Sequence, residues 1–249
     1  MIDFSSPHVL IIAVVFFLAG IVKGVTGMGL PTVAMGVLGV IMSPVTAASL
    51  LIAPSFVTNV WQLFTGPSFV ALISRLWLML LGIVVGTVAG SRLLTSADTK
   101  WTTIGLGVAL ALYGGFSLLG RPLSISARIE GPLSTVIGLA TGVITGGTGV
   151  FVIPAVPYLQ ALGLSKDGLI QALGLSFTIS TIALAMGLVR GGAFHTENIA
   201  TSTLAIAPAL LGTWFGQSIR HHISAAAFRQ WFLICLILLG IELAVRPLL

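Results

Sequence analysis

The run Lys23-Gly24-Val25-Thr26-Gly27-Met28-Gly29-Leu30-Pro31 sets a cation and a hydroxyl among glycines and ends on a proline. Glycine frees a backbone to leave a helix, threonine can cap the next helix, and proline suits that helix's first turn. A helix broken there leaves N–H groups unpaired at the positive end of the next half-helix. In a membrane those groups need a partner, and an anion supplies it. Lys23 either balances the anion's charge or snorkels to the interface; its place beside the break favours the first. The stretch Thr145-Gly146-Gly147-Thr148-Gly149, with Pro154 beyond, offers a related set.

Brought together near the midplane, the two turns would form one anion site. It would draw Lys23, Gly24, Thr26, Gly27, Met28 and Gly29 from the first and Gly146, Gly147, Thr148 and Gly149 from the second. Thr58, Asn59 and Gln62 on one following element, and Ser176, Ser180 and Thr181 on the other, would complete it by hydrogen bonding or serve as interhelical glue. The competing reading of the glycines is a small-xxx-small packing face, Gly20 with Gly24 and Gly142 with Gly146.

Other chemistries fit poorly. Gly174-Leu175-Ser176-Phe177 resembles the Gly-x-Ser environment of rhomboid-type serine proteases, but His195, His221 and His222 fall in loops, out of reach as a base. Six acidic residues, mostly in loops, leave little for carboxylate catalysis, and the histidines have no ligands arranged around them for a metal. No enzyme is expected, and no cofactor. The first motif lacks the preceding strand and the Gly-Lys-Ser/Thr ending of a nucleotide loop. Glu242 and Arg246, four apart, read as an interfacial pair.

The elements that hold these residues are membrane helices. Charged residues make up 7% of the 249 residues, and mean hydropathy is +1.14; so few charges cannot clothe a soluble domain of this length. The net charge of +5 does not indicate nucleic acid, because the basic residues are scattered singly. The lone Cys235 can form no internal disulfide. Residues 1–7 carry Asp3 and no basic run, so the first apolar segment is expected to be mature protein and not a cleaved leader. Apolar elements fall at 8–42, 44–65, 75–93, 101–119, 132–162, 168–189, 199–219 and 229–247. The elements at 8–42 and 132–162 would run to roughly 45–50 Å as straight helices, beyond the ~30 Å core, so both should be broken or re-entrant. Trp77, Trp101 and Trp231 open their segments as interfacial anchors would.

The chain is also internally repeated. Gly20-x-x-x-Gly24-x-Thr26-Gly27 recurs 122 positions later as Gly142-x-x-x-Gly146-x-Thr148-Gly149. Gly86-Thr87-x-x-Gly90 recurs 126 positions later as Gly212-Thr213-x-x-Gly216, and Gly114 recurs as Gly240. The expected fold is an all-α polytopic membrane protein of two homologous halves, about four hydrophobic elements each, with the first element of each half broken or re-entrant. Residues 1–120 form the first repeat, 121–131 the loop between, and 132–249 the second. If the long elements cross once, the halves are parallel; if they are hairpins, the halves are inverted. Lysine and arginine are spread too evenly to choose.

In its duplicated Gly-x-x-x-Gly-x-Thr-Gly turn, its length and second elements such as Ile52-Ala53-Pro54, the chain resembles the TauE/SafE, or sulfite exporter, family of membrane transporters. The resemblance implies a multi-pass protein of the bacterial or archaeal cytoplasmic membrane that moves a small organosulfur anion such as sulfite or a sulfonate. Its partners would be that anion and the lipid bilayer, not nucleic acid; homo-oligomer formation is left open. The alternative is a non-transporting assembly or scaffold protein whose glycines only pack helices. Lys23 has Thr145 as its match, and Pro54 has Ser176, so roles do not transfer directly between halves.

Overall fold

The computed structural model describes residues 7–96, 98–120, 124–193, 196–220 and 222–248, all helix and turn with no strand among them. His195, His221, Arg121 and Asp3 lie outside that set.

The element at 8–42 is two helices, α1 (Pro7–Thr26) and α2 (Leu30–Ile41). The element at 132–162 is α6 (Ala127–Thr148), an irregular stretch, and the short α7 (Ala155–Ala161). α3 (Pro44–Leu63), α4 (Phe69–Ser96), α5 (Thr99–Leu119), α8 (Lys166–Arg190) and α11 (Ala225–Val245) are single helices, and α9 (Thr196–Leu204) meets α10 (Ile206–Ile219) across Ala205. Eight spans are long and apolar enough to cross a bilayer, 198–219 across the α9–α10 joint among them. α6 begins inside the stretch expected as a loop. Helix α4 begins earlier than hydropathy indicates, so Trp77 sits two turns inside it and not at its start. Trp101 lies in the first turn of α5.

Burial sorts the spans. α8 is 72% buried and α3 56%, more than any other span, and these two form the centre. They run antiparallel: Gly174 packs against the backbone of Gln62 and Leu63, while Ser49 Oγ donates to Ala193 O at the far end. Pro54 inside α3 removes one N–H and leaves Leu50 O without its usual donor. Ser202 on α9 repairs the gap: its Oγ donates to Leu50 O (2.8 Å) and accepts from Ala53 N (3.1 Å). A break in a membrane helix is tolerated when a neighbour re-satisfies the backbone in this way.

Glycines set the remaining contacts. A Cβ on Gly20 would lie 2.4 Å from Ala209 O, and one on Gly24 2.3 Å from Thr213 O, so α1 lies backbone to backbone along α10. A Cβ on Gly142 would lie 2.5 Å from Ile83 O, and one on Gly146 2.3 Å from Thr87 O, so α6 lies in the same way along α4. Both pairs are parallel. α5 and α11 form a third, antiparallel pair, with Gly107 against Gly240 and Ala244. The small-xxx-small reading thus holds for Gly20, Gly24, Gly142 and Gly146, while the break lies just beyond, at residues 27–29 and 149–154. α4 is parallel to α8 (Ser91 at Gly187, Thr95 at Gly191) and α1 is parallel to α3 (Lys23 at Thr58, Gly27 at Gln62), so α1 and α6 run in opposite directions.

One polar tie escaped the sequence. Arg75 on α4 makes a two-pronged ion pair with Glu130 in the first turn of α6, Nε to Oε1 at 2.6 Å and Nη2 to Oε2 at 2.9 Å. Nη2 also donates to Leu162 O (3.2 Å), which brings the chain after α7 back to the end where α6 began. Glu242 and Arg246 do pair, 3.7 Å apart and both exposed, a contact of little energetic weight.

Glycine crossings of this closeness predict a sharp contrast. Gly212→Val would drive a side chain into Phe17 O, 2.0 Å from the Cβ position, and is expected to destabilise by about 1–3 kcal/mol or more. Gly115→Ala, with nothing within 4 Å, should leave the melting temperature unchanged or slightly raised. Thermal unfolding in detergent, followed by size-exclusion fluorescence, reads both.

Candidate functional site

The turn after α1 is built by its own residues. Gly27 adopts the left-handed conformation (φ +78°), and its N–H donates to Lys23 O at 2.7 Å. Thr26 Oγ1 accepts from Met28 N (3.3 Å) and donates to Val22 O (2.8 Å) or Met28 O (2.6 Å). The second turn repeats these bonds 122 positions on. Gly149 (φ +72°) donates to Thr145 O (2.8 Å), Val150 N donates to Thr148 Oγ1 (3.3 Å), and Thr148 Oγ1 donates to Ile144 O (2.7 Å).

This corrects the expected role of the threonines. Thr26 and Thr148 close the helices that precede them and do not cap the next ones. The left-handed glycine at each helix end satisfies the last carbonyls, and that C-cap geometry takes the hydroxyl with it. α2 starts at Gly29 (φ +105°) without a side-chain cap, and α7 starts six residues beyond Gly149.

What gathers at the first turn is a charge in polar surroundings. Lys23, 4% exposed, donates from Nζ to Thr58 Oγ1 at 3.1 Å and to Asn59 Oδ1. Among the described residues it has no carboxylate within ion-pair distance. Gln62 Nε2 lies 3.0 Å from both Gly27 O and Ile170 O, joining the turn to α3 and α8. Thr58 Oγ1 is within 2.8 Å of Pro54 O, so the proline inside α3 also fixes one lysine ligand. Asn59 Nδ2, Gln62 Oε1 and Ser55 Oγ are buried and have no partner among the described residues.

Beside this group lies a cavity of about 220 Å³, lined by Lys23, Gly24, Gly27, Thr58 and Gln62 and walled further out by Trp61, Ile170, Thr213 and Gln217. Asp167 and Arg220, both exposed, also line it. Thr26 and Met28 face a neighbouring cavity of about 370 Å³, together with Tyr113, Arg220 and Arg229. Gly29 packs on Val22.

The two turns do not share this cavity. Gly146 is occupied by α4, the Cβ position of Gly147 lies near Leu93, that of Gly149 near Met35, and Thr148 packs beside Gly105. None of these lines the Lys23 cavity. Ser176 and Ser180 are fully buried on α8, with hydroxyls that have no partner among the described residues. His222 is exposed. Trp61, Asp167, Thr213, Gln217 and Arg220 were not anticipated. Thr213 and Gln217 were within reach: each follows a glycine of the α10 face, and pairing that face with Gly20 and Gly24 sets both beside Lys23.

The sulfite exporter TauE/SafE family model matches residues 12–243. The chain belongs to that family. TauE/SafE proteins are membrane transporters, and eight apolar spans make this member a multi-pass membrane protein. No curated protein and no solved structure matches the chain.

Gln62→Leu is expected to leave Gly27 O and Ile170 O without their donor and to cost about 1–3 kcal/mol of stability. Thermal unfolding of the purified variant checks this; an unchanged melting temperature would mean that the side chain does not hold the turn.

Proposed function

We propose that the chain is a secondary transporter of a small organosulfur anion, sulfite or a sulfonate, bound in the Lys23 cavity between two inverted repeats. The repeats are residues 1–120 and 132–249, joined by 121–131, and the α1–α2 and α6–α7 segments are their re-entrant hairpins. The observation that carries the reading is the buried, uncompensated charge of Lys23. Burying a cation without a counter-charge costs several kcal/mol, which an entering anion offsets. A protein whose glycines only pack helices has no use for that cost, so the scaffold reading leaves Lys23 unexplained.

The rest of the cavity suits a small sulfur oxyanion. Thr58 and Gln62 line it with uncharged hydrogen-bonding groups, and Asn59, fully buried against Lys23 Nζ, holds in Nδ2 a donor without a partner among the described residues. Trp61 and Ile170 give an apolar wall for the short carbon chain of a sulfonate. The repeat reading is supported by bonds that recur at a fixed offset. It is supported also by glycine contacts that exchange halves: α1 of the first lies on α10 of the second, and α6 of the second on α4 of the first.

Sulfite or a short sulfonate should raise the melting temperature of the purified protein in a saturable way. Lys23→Met should weaken that binding about ten- to a hundredfold, the loss of charge-assisted hydrogen bonds, and reduce proteoliposome flux in parallel. Lys23→Arg should retain part of both. Absence of a thermal shift across a panel of oxyanions, or full flux in Lys23→Met, would overturn the assignment.

A further inference from the structure

The two ends of the bundle are made of matching parts and each holds a cavity, but the one of about 840 Å³ at the far end, lined by Ser91, Arg92, Gly187 and Arg190, stops at the α4–α8 seam and does not reach Thr87, Thr141, Ser176 or Ser180. At the Arg220 end, α10 stands off α3, with Thr213 and Gln217 on one wall and Trp61 and Gln62 on the other. The matching positions at the opposite end are Thr87 and Ser91 on α4, offset by 126. There α4 closes directly on α8: a Cβ on Gly187 would lie 2.4 Å from Ser91 Cβ, and one on Gly191 2.5 Å from Thr95 Cγ2. Behind this seam the sequence is polar where simple packing would be apolar. Thr87, Thr141, Ser176 and Ser180 are each 0% exposed, and none of their hydroxyls has a hydrogen-bond partner. Thr145, the match of Lys23, is 0% exposed, with its hydroxyl 3.3 Å from Val150 O.

Unpaired buried hydroxyls are costly, and four grouped on α4, α6 and α8 call for a reason. The Lys23 cavity supplies one by its symmetry: Lys23, Thr58 and Thr213, the matches of Thr145, Ser180 and Thr87, line it. We infer that Thr87, Thr141, Thr145, Ser176 and Ser180 form the second half of the anion path, sealed in this conformation by Ser91 on Gly187 and Thr95 on Gly191. It takes the oxyanion through hydroxyl donors alone, with no cation. The inference rests on the transport reading of the Lys23 cavity. The path opens when α4 and α6, held together by their glycine faces, move off α8 as one pair. The α1–α10 pair then closes on α3.

The seal can be locked. Ser91→Cys with Gly187→Cys, in a Cys235→Ser background, sets the two Cβ positions 2.4 Å apart, so the seam must give by about an ångström to reach disulfide geometry, less than the branched Val side chain used below demands. Oxidation of the full-length double variant in proteoliposomes should abolish sulfite flux, and reduction should restore it. Sulfite should still raise the melting temperature of the oxidised protein, because the Lys23 cavity stays open. Full flux through the cross-linked protein would overturn the inference and leave the transport reading intact. Absence of flux from the reduced double variant and the Cys235→Ser background alike would instead count against transport itself.

A second measurement does not depend on cross-linking. Ser180→Cys, in the Cys235→Ser background, should react slowly with a membrane-impermeant thiol reagent in detergent. Adding Gly187→Val, which wedges the seam, should speed labelling about tenfold and slow labelling of a separate Gln217→Cys reporter. No change at either reporter in a monodisperse Gly187→Val protein would also overturn it.

Discussion

The structure depends on backbone-to-backbone contact at the glycine crossings. Lipid offers helices no hydrophobic reason to associate, so close packing and dispersion must hold them together. At Gly20, Gly24, Gly142 and Gly146 any side chain would occupy space already filled by the main chain of the partner helix. Those contacts make α1–α10 and α4–α6 into rigid pairs that surround the more polar α3 and α8. With the pairs fixed, Lys23 on α1 is held one helix face away from the α10 contact and directed at Thr58 and Asn59.

The central helices solve a different problem. α3 and α8 are buried by protein on most sides, so their polar residues need not face lipid. Pro54 removes a backbone donor from α3, Ser202 satisfies the carbonyl left over, and Thr58 sits one turn further on, where it meets Lys23. Gln62 then ties the glycine turn to both central helices through two carbonyls. The site is therefore assembled from α1, α3 and α8, with α10 as an outer wall.

Much of this was legible in the sequence, for reasons that differ by residue. The two overlong elements had to break, because no bilayer accommodates their length as straight helices, and the glycines gave the place. The helix-packing role of Gly20 and Gly24 and the turn at Gly27 compete as readings of the sequence, but they occupy successive turns and both hold. The threonine caps fall on the wrong helices because hydroxyl chemistry is the same at either side of a break; only the left-handed glycine decides which helix end it serves. The centrality of α3 and α8 was hidden because lipid-facing and protein-buried helices share one hydropathy. Their surplus of Thr, Asn, Gln and Ser was the available sign. Arg75 and Glu130, 55 positions apart, had no local pattern to pair them.

The one difference in charge between the matched turns, Lys23 against Thr145, fits the demands that the proposed transport places on a protein that must bind an anion and also release it. A ligand shifts a two-state equilibrium only by its difference in affinity for the two states. Lysine in both halves would bring two buried cations toward the same small volume, costly when empty and too retentive when filled. Hydroxyls in both halves would leave the anion's charge unbalanced throughout. On the proposed path, one buried cation at the open end would lower the cost of stripping water from the anion. Neutral donors beyond it would replace the hydration shell without adding a second buried charge.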